Sequence, residues 1–284
     1  MFRKRLVLSV IALGCVLAAN PAAGAVDALG NDSGQSAGEV EIGPPVPTRG
    51  LCVELISTCP SPVYGNDGLA WDGSHLWIAD FDTDQAYRVD PSDCSVVHSI
   101  PLPGTYPGGL AWDGTHLWHA DATNEMIYRL DPADGSVVAS FPSPGGFPTG
   151  LAFDGSALWN SDTDCNDLPC VPDEIHYVST AGAILSTYPA LGEYPTGLAY
   201  DGAYLWHSDN ALDAIYKLDP ADLSVVGMFP SPGSYPNDLA WDGTHLWVVD
   251  NGTDLLYKYS ISGSGASATE ATSWGAIKSR YQND

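Results

Sequence analysis

Five positions along the chain carry side chains that could meet at one site. Asp67, Gly108, Thr149, Thr196 and Asn237 each stand two residues before a Leu-Ala pair, and in the fifth case Asp238 replaces the intervening glycine. Tyr64, Tyr106, Phe147, Tyr194 and Tyr235 lie just upstream. Aromatic faces interspersed with Asp, Asn and Thr suit a polar, uncharged ligand such as a sugar, or the end of a peptide. The plainer reading is that the Tyr-Pro steps only shape a connecting loop. Asp67 and Asp238 are also a candidate carboxylate pair. Two carboxyls whose pKa values are pushed apart can divide the roles of acid and base.

A second constellation lies in DTDCNDLPCVPDE, residues 162–174. Asp162, Asp164 and Asn166 have the 1-3-5 spacing that opens a calcium loop, Asp173 falls at position 12, and Glu174 follows. Calcium is therefore a candidate ligand, and no cofactor is required. The alternative is an acidic surface loop stapled by a Cys165–Cys170 disulfide, whose short span would order it. His119 and His207 share one repeat position, where the other copies have Ile78, Asn160 and Val248, which reads as structural tolerance of His. No G-x-S-x-G, H-E-x-x-H or phosphate-loop pattern is present.

The elements that must position these residues repeat. GLAWDGSHLWIAD, GLAWDGTHLWHAD, GLAFDGSALWNSD, GLAYDGAYLWHSD and DLAWDGTHLWVVD start at 68, 109, 150, 197 and 238, so the period is 41 residues with one interval of 47. A fixed period near 40 marks a stacked or radial array. Within one period, Leu110–Trp112, His116–Ala120, Met126–Leu130 and Ser136–Phe141 read as strands separated by Asp-Gly, Asp-Pro and Pro/Gly turns. Four short strands per period make a propeller blade.

The fifth copy offers only a third strand, Leu255–Ile261, before a Ser-Gly run. The missing fourth strand is expected at 53–58, because 54–73 aligns without gaps on 95–114. The expected architecture is all-β: a five-bladed β-propeller of four-stranded antiparallel blades, closed by an N-terminal strand that completes the last blade. Closure of this kind removes exposed strand edges. Two aromatic columns, Trp77/Trp118/Trp159/Trp206/Trp247 and Trp71/Trp112/Phe153/Tyr200/Trp241, are expected to fill the wedges between blades. The aspartates at 80, 121, 162, 209 and 250 are expected to cap the turn that follows them, with repeated metal ligation as the second reading.

The pattern GLAWDG..LW..D....IY.LDP over about 52–261 resembles the secreted bacterial propellers of the YVTN and amine-dehydrogenase-like superfamily. It is also similar to the plant and bacterial type of glutaminyl cyclotransferase, itself a five-bladed propeller. That family usually places Gly-Glu-Gly-Leu at a blade start to supply a catalytic acid. The matching stretches here include Asn66-Asp67-Gly68-Leu69 and Asn237-Asp238-Leu239, and none of the five carries Glu.

The ends and the charge bound the setting. A basic Arg3–Arg5 start, an apolar run from Leu6 to Ala19 and Ala23-Gly24-Ala25 read as a secretory leader over 1–25. A flexible 26–50, the propeller at 51–261, a Ser/Gly-rich 262–273 and a tail at 274–284 complete the expected organisation. The expected location is extracellular or periplasmic, with no stable membrane insertion once the leader is removed. A net charge of −25 repels nucleic acid and anionic membrane. Of the six cysteines, Cys52, Cys59 and Cys94 have no pairing that spacing alone decides. The function expected is a monomeric, non-enzymatic module that binds a glycan, a peptide or an extracellular protein. The alternative is a propeller enzyme of the cyclotransferase or lyase/hydrolase sort, acting through Asp67, Asp238 or a channel histidine.

Overall fold

The computed structural model describes residues 15–16, 51–163, 173–192 and 194–263. Five four-stranded antiparallel sheets stand around a central channel. Blade one comprises Asn66–Trp71, Leu76–Asp80, Gln85–Val89 and Val96–Pro101, from the channel outward. Blades two, three and four repeat this order, with inner strands Pro107–Trp112, Pro148–Phe153 and Pro195–Tyr200. Blade five takes Pro236–Trp241, His245–Asp250 and Leu255–Gly263 from the end of the described chain and its outer strand, Leu51–Pro60, from the beginning. The expected clasp is present and is longer than the sequence pattern suggested. A two-residue strand, Cys15–Val16, pairs outside it.

Each wedge between blades is filled by one large ring. Trp77, Trp118, Trp159, Trp206 and Trp247 are all at most 3% exposed. Trp118 packs with Ala111, Leu151 and Leu158, which joins blades two and three, and the other four tryptophans make the equivalent joints. The second aromatic column behaves differently. Trp71, Trp112, Phe153, Tyr200 and Trp241 are only half-buried, and they ring the end of the channel opposite the Tyr-Pro loops.

Tight turns tie these rings down. Asp113 accepts the backbone N–H groups of Thr115 (2.9 Å) and His116 (2.8 Å) on one carboxylate oxygen. Its other oxygen accepts the Trp118 indole N–H at 3.0 Å and the Arg129 guanidinium. Asp72, Asp201 and Asp242 repeat this arrangement with Arg88, Lys217 and Lys258. Blade three departs from it: Tyr177 donates to Asp154 in place of a cation, and the Trp159 indole nitrogen has no partner.

The closure also carries a covalent staple. Cys59 of the clasp is bonded to Cys94 in the loop before the outer strand of blade one, so the disulfide joins the last blade to the first.

Candidate functional site

In every blade the ladder between the inner and second strands breaks near the Tyr-Pro end. The register shifts between Asn66 and Leu69, Pro107 and Leu110, Pro148 and Leu151, Pro195 and Leu198, and Pro236 and Asp238. A bulge of this kind turns the residues inside it out of the regular pleat. Here it delivers Asp67, Gly108, Thr149, Thr196 and Asn237 to the lining of one cavity of about 440 Å³ at the channel mouth.

Above this floor stands a rim of aromatic rings. Tyr106, Phe147, Tyr194 and Tyr235 line it as the sequence suggests. Tyr64 does not: it is 78% exposed and lies off the cavity. The reason is register. The carbonyls of Tyr106, Phe147, Tyr194 and Tyr235 accept the N–H of the residue after the repeated aspartate, at 3.0–3.1 Å. In blade one that bond runs from Phe81 to Gly65, so Gly65 is the true counterpart of Tyr106. Phe81 takes over the missing ring's place on the rim and stacks on Tyr106, with centroids 6.4 Å apart and planes at 14°.

Phe81, Asn210 and Asn251 are lining residues that the sequence pattern did not single out. They share one column, completed by Ala122 and Thr163. The signal was available: this column varies freely directly after an aspartate that never varies.

That aspartate does the work expected of it and more. Asp209 accepts the Leu212 N–H at 2.7 Å in the following turn and the Tyr194 N–H at 3.2 Å in the rim loop. Asp250 does the same with Thr253 and Tyr235. Each one thus braces two mouth loops together. Asp162 holds Phe147 in this way, at 3.3 Å, and its backbone pairs opposite Glu174. Asp173 is buried beside them. Asp164, Asn166, Cys165 and Cys170 lie outside the described residues. Among the described residues no group of three or more His, Cys, Asp or Glu is arranged to hold a metal ion.

Three floor side chains reach across to the next blade. Thr149 Oγ1 donates to the Pro195 carbonyl at 2.9 Å, and Thr196 Oγ1 to the Pro236 carbonyl at 2.9 Å. The Asn237 side-chain amide donates to the Asn66 carbonyl at 2.7 Å and accepts from the Asn210 amide at 2.9 Å. Ser161 and Ser208 back the two threonines from the second strand. These are inter-blade latches.

Asp67 is different. Its carboxylate accepts no hydrogen bond from the described residues, and burial at the cavity floor pushes its pKa up to about 7. Burial also raises the Tyr106 phenol, and the nearby Asp67 charge adds to that rise.

Asp238 sits beneath the cavity rather than on it, fully buried. It accepts the backbone N–H groups of Leu69 (2.6 Å), Leu239 (2.8 Å), Leu198 (3.1 Å) and Leu110 (3.4 Å). Burial raises its pKa well above the carboxylate range, while these four bonds act the other way. Its place is that of a hub joining four blades at the axis, and Asp67 and Asp238 do not face each other across the mouth.

His119 and His207 are fully buried in their sheets, each stacked on a tyrosine, Tyr128 or Tyr216. Burial lowers both to about 4, so both are neutral at physiological pH, and neither lines the cavity.

No protein-family model and no curated protein matches the sequence. Solved structures do match in shape. Glutaminyl cyclase from Myxococcus xanthus aligns with a TM-score of 0.64 over 75% of this chain and 97% of that one, at 14% identity. Virginiamycin B lyase from Staphylococcus aureus aligns with a TM-score of 0.46 over 74% and 73% of the two chains, at 19% identity. The protein is a five-bladed β-propeller similar in structure to the Myxococcus xanthus enzyme, and at 14% identity that likeness speaks for the fold alone.

Proposed function

We propose that the protein is an exported binding module whose channel-mouth cavity seats one polar end of a glycan or peptide. One observation carries this reading: the ring of inter-blade latches is broken at Asp67, which leaves an unpartnered carboxyl on the floor of an aromatic-rimmed cavity. Asp67 is half-buried and has no hydrogen-bond partner among the described residues, so a ligand that brings a donor gains a charge-assisted hydrogen bond there. The rings of Tyr106, Phe147, Tyr194 and Tyr235 offer flat apolar faces at the entrance, as sites for sugars and peptide ends do. The leader at 1–25 is the support for export.

The test is a glycan and peptide binding screen on the full chain. The expected result is a ligand whose affinity drops at least about tenfold in Asp67→Asn, consistent with loss of a charge-assisted hydrogen bond. A ligand bound equally well by the variant would place the site elsewhere.

A catalytic reading is favoured by one feature only. A carboxyl with a pKa near 7 can both take and give a proton at neutral pH. Among the described residues it stands alone on the cavity lining, with no second acid and no nucleophile–base pair. The activity in the name of the structural neighbour, glutaminyl cyclisation, supplies the control. Turnover of peptides with N-terminal glutamine, abolished in Asp67→Asn, would replace the binding-module reading with an enzymatic one.

A further inference from the structure

The floor of the cavity is divided by hydrogen-bonding character. At positions 149, 196 and 237 a donor exists, and it is engaged with the neighbouring blade. The Asn210 amide donor is engaged as well, with Asn237. At positions 67 and 108 the same latch is missing, for two different reasons. An ionised Asp67 has no hydrogen to donate, and Gly108 has no side chain.

Gly108 leaves more than an absence. A Cβ built there would stand 3.0 Å from the Pro148 carbonyl oxygen and 2.8 Å from that of Thr149. The two oxygens therefore border the space that a side chain would occupy. Gly108, Pro148 and Thr149 all line the cavity, as does Asp67. This side of the floor consists of acceptors, one of them a carboxylate, while the floor donors opposite are already used.

We propose that this acceptor-lined side of the floor selects a primary ammonium group, with Asp67 as its counter-ion and the Pro148 carbonyl as a second acceptor. The inference rests on the reading of the cavity as a ligand site and names the ligand's anchoring group. A primary ammonium is compact and carries three hydrogens on one charge, so it can bond to the carboxylate and a carbonyl together. The rings of Tyr106 and Phe147, with centroids 5.3 Å apart on the rim above, accommodate the apolar stem of such a ligand and attract the cation. A quaternary ammonium satisfies the charge and the rings but brings no donor, so it leaves the carbonyl unpaired. A neutral hydroxyl brings one donor and no charge. A guanidinium spreads its charge over a plane wider than the gap left by one missing side chain.

The test uses three ligands that share one stem: 2-phenylethylammonium, its N,N,N-trimethyl counterpart and 2-phenylethanol. Each is titrated calorimetrically against the full chain at pH 8. The primary ammonium is expected to bind at least about tenfold more tightly than either of the others, the discrimination that follows when buried acceptors are left unpaired. Asp67→Asn is expected to lower its affinity to that of the alcohol, with an unchanged circular dichroism spectrum.

Equal or tighter binding of the trimethyl compound would overturn the inference while leaving the cavity a cation site. Equal binding of the alcohol would overturn it and leave the cavity a site for neutral ligands. Absence of binding by the primary ammonium at millimolar concentration would overturn it outright. If the wider glycan and peptide screen also finds nothing, the binding-module reading falls separately.

Discussion

At the same depth in the channel, blades three and four pair Thr149 with Ser161 and Thr196 with Ser208, whereas blades one and two pair Asp67 with Ala79 and Gly108 with Ala120. The backbone is the same in all four, including the bulge that presents these residues. In the latched pair of blades each hydroxyl joins neighbours. In the open pair neither position supplies a side-chain latch, and a carboxyl and backbone carbonyls border the cavity. A repeat can thus hold its scaffold constant and vary only the few positions that face the axis. Symmetry marks what supports the ring, and the proposed ligand site lies where that symmetry breaks.

The comparison can be broken first at the scaffold, which both halves are taken to share. Trp118→Ala in the open half and Trp206→Ala in the latched half should each cost about 3–5 kcal/mol by denaturant unfolding, because both rings are fully buried between blades. A difference of more than about 2 kcal/mol between them would mean that the halves differ in their packing as well as their floor.

The closure comes next in size. Replacing Cys59 and Cys94 by Ser should cost about 2–4 kcal/mol, the range for a disulfide that closes a loop of this order. An unchanged melting temperature would show that the paired clasp strand alone holds the ring.

Asp67→Asn should raise stability, by on the order of 1–3 kcal/mol at pH 8, and the gain should vanish near pH 4. The folded protein keeps the Asp67 proton up to about 7, against an ordinary carboxyl value of 3.8. The folded state therefore binds the proton more tightly than the unfolded chain. Stability is lost as pH rises from about 4 to about 7, and the full penalty is present above that. Asp80, Asp238 and Tyr106 stand on the elements packed against the same strand. They are common to both proteins, so the difference between variant and parent isolates Asp67. A gain that is independent of pH would remove the basis for an open, uncompensated carboxyl.

The smallest effect belongs to a single latch. Thr196→Val keeps the shape and removes the donor to the Pro236 carbonyl, which should cost about 1–2 kcal/mol. A neutral result would mean that latched and open positions differ in chemistry but not in stability.

Much of the architecture is legible in the chain itself. The period of 41 residues, the Asp-Gly turns and the regular strand lengths identify blades because turn chemistry and alternation are local properties. The need to bury the last blade's edge points to the N-terminal strand. The mouth residues Asp67, Thr149, Thr196 and Asn237 are legible for the same reason, since they hold one position in every copy.

Tyr64 is misplaced by sequence because matching by residue type sets it beside Tyr106, whereas the ungapped alignment of 54–73 on 95–114 sets Gly65 opposite Tyr106 and Tyr64 opposite Thr105. Counting five residues from the proline that ends each outer strand leads from Pro101 to Tyr106, and from Pro60 to Gly65. That ruler finds the slip.

Asp238 shows the limit of sequence alone. Its place in a glycine column is visible, but the pattern puts it at the mouth as a partner for Asp67. Whether its carboxyl faces solvent or gathers amides from four blades depends on where strands 40 to 169 residues away converge. The sequence by itself determined the blades, because each blade is built from neighbouring residues. Only the tertiary structure decided which side chains share the axis and which of them remain unpaired, because the latches there, from Thr149, Thr196 and Asn237, are completed on the neighbouring blade.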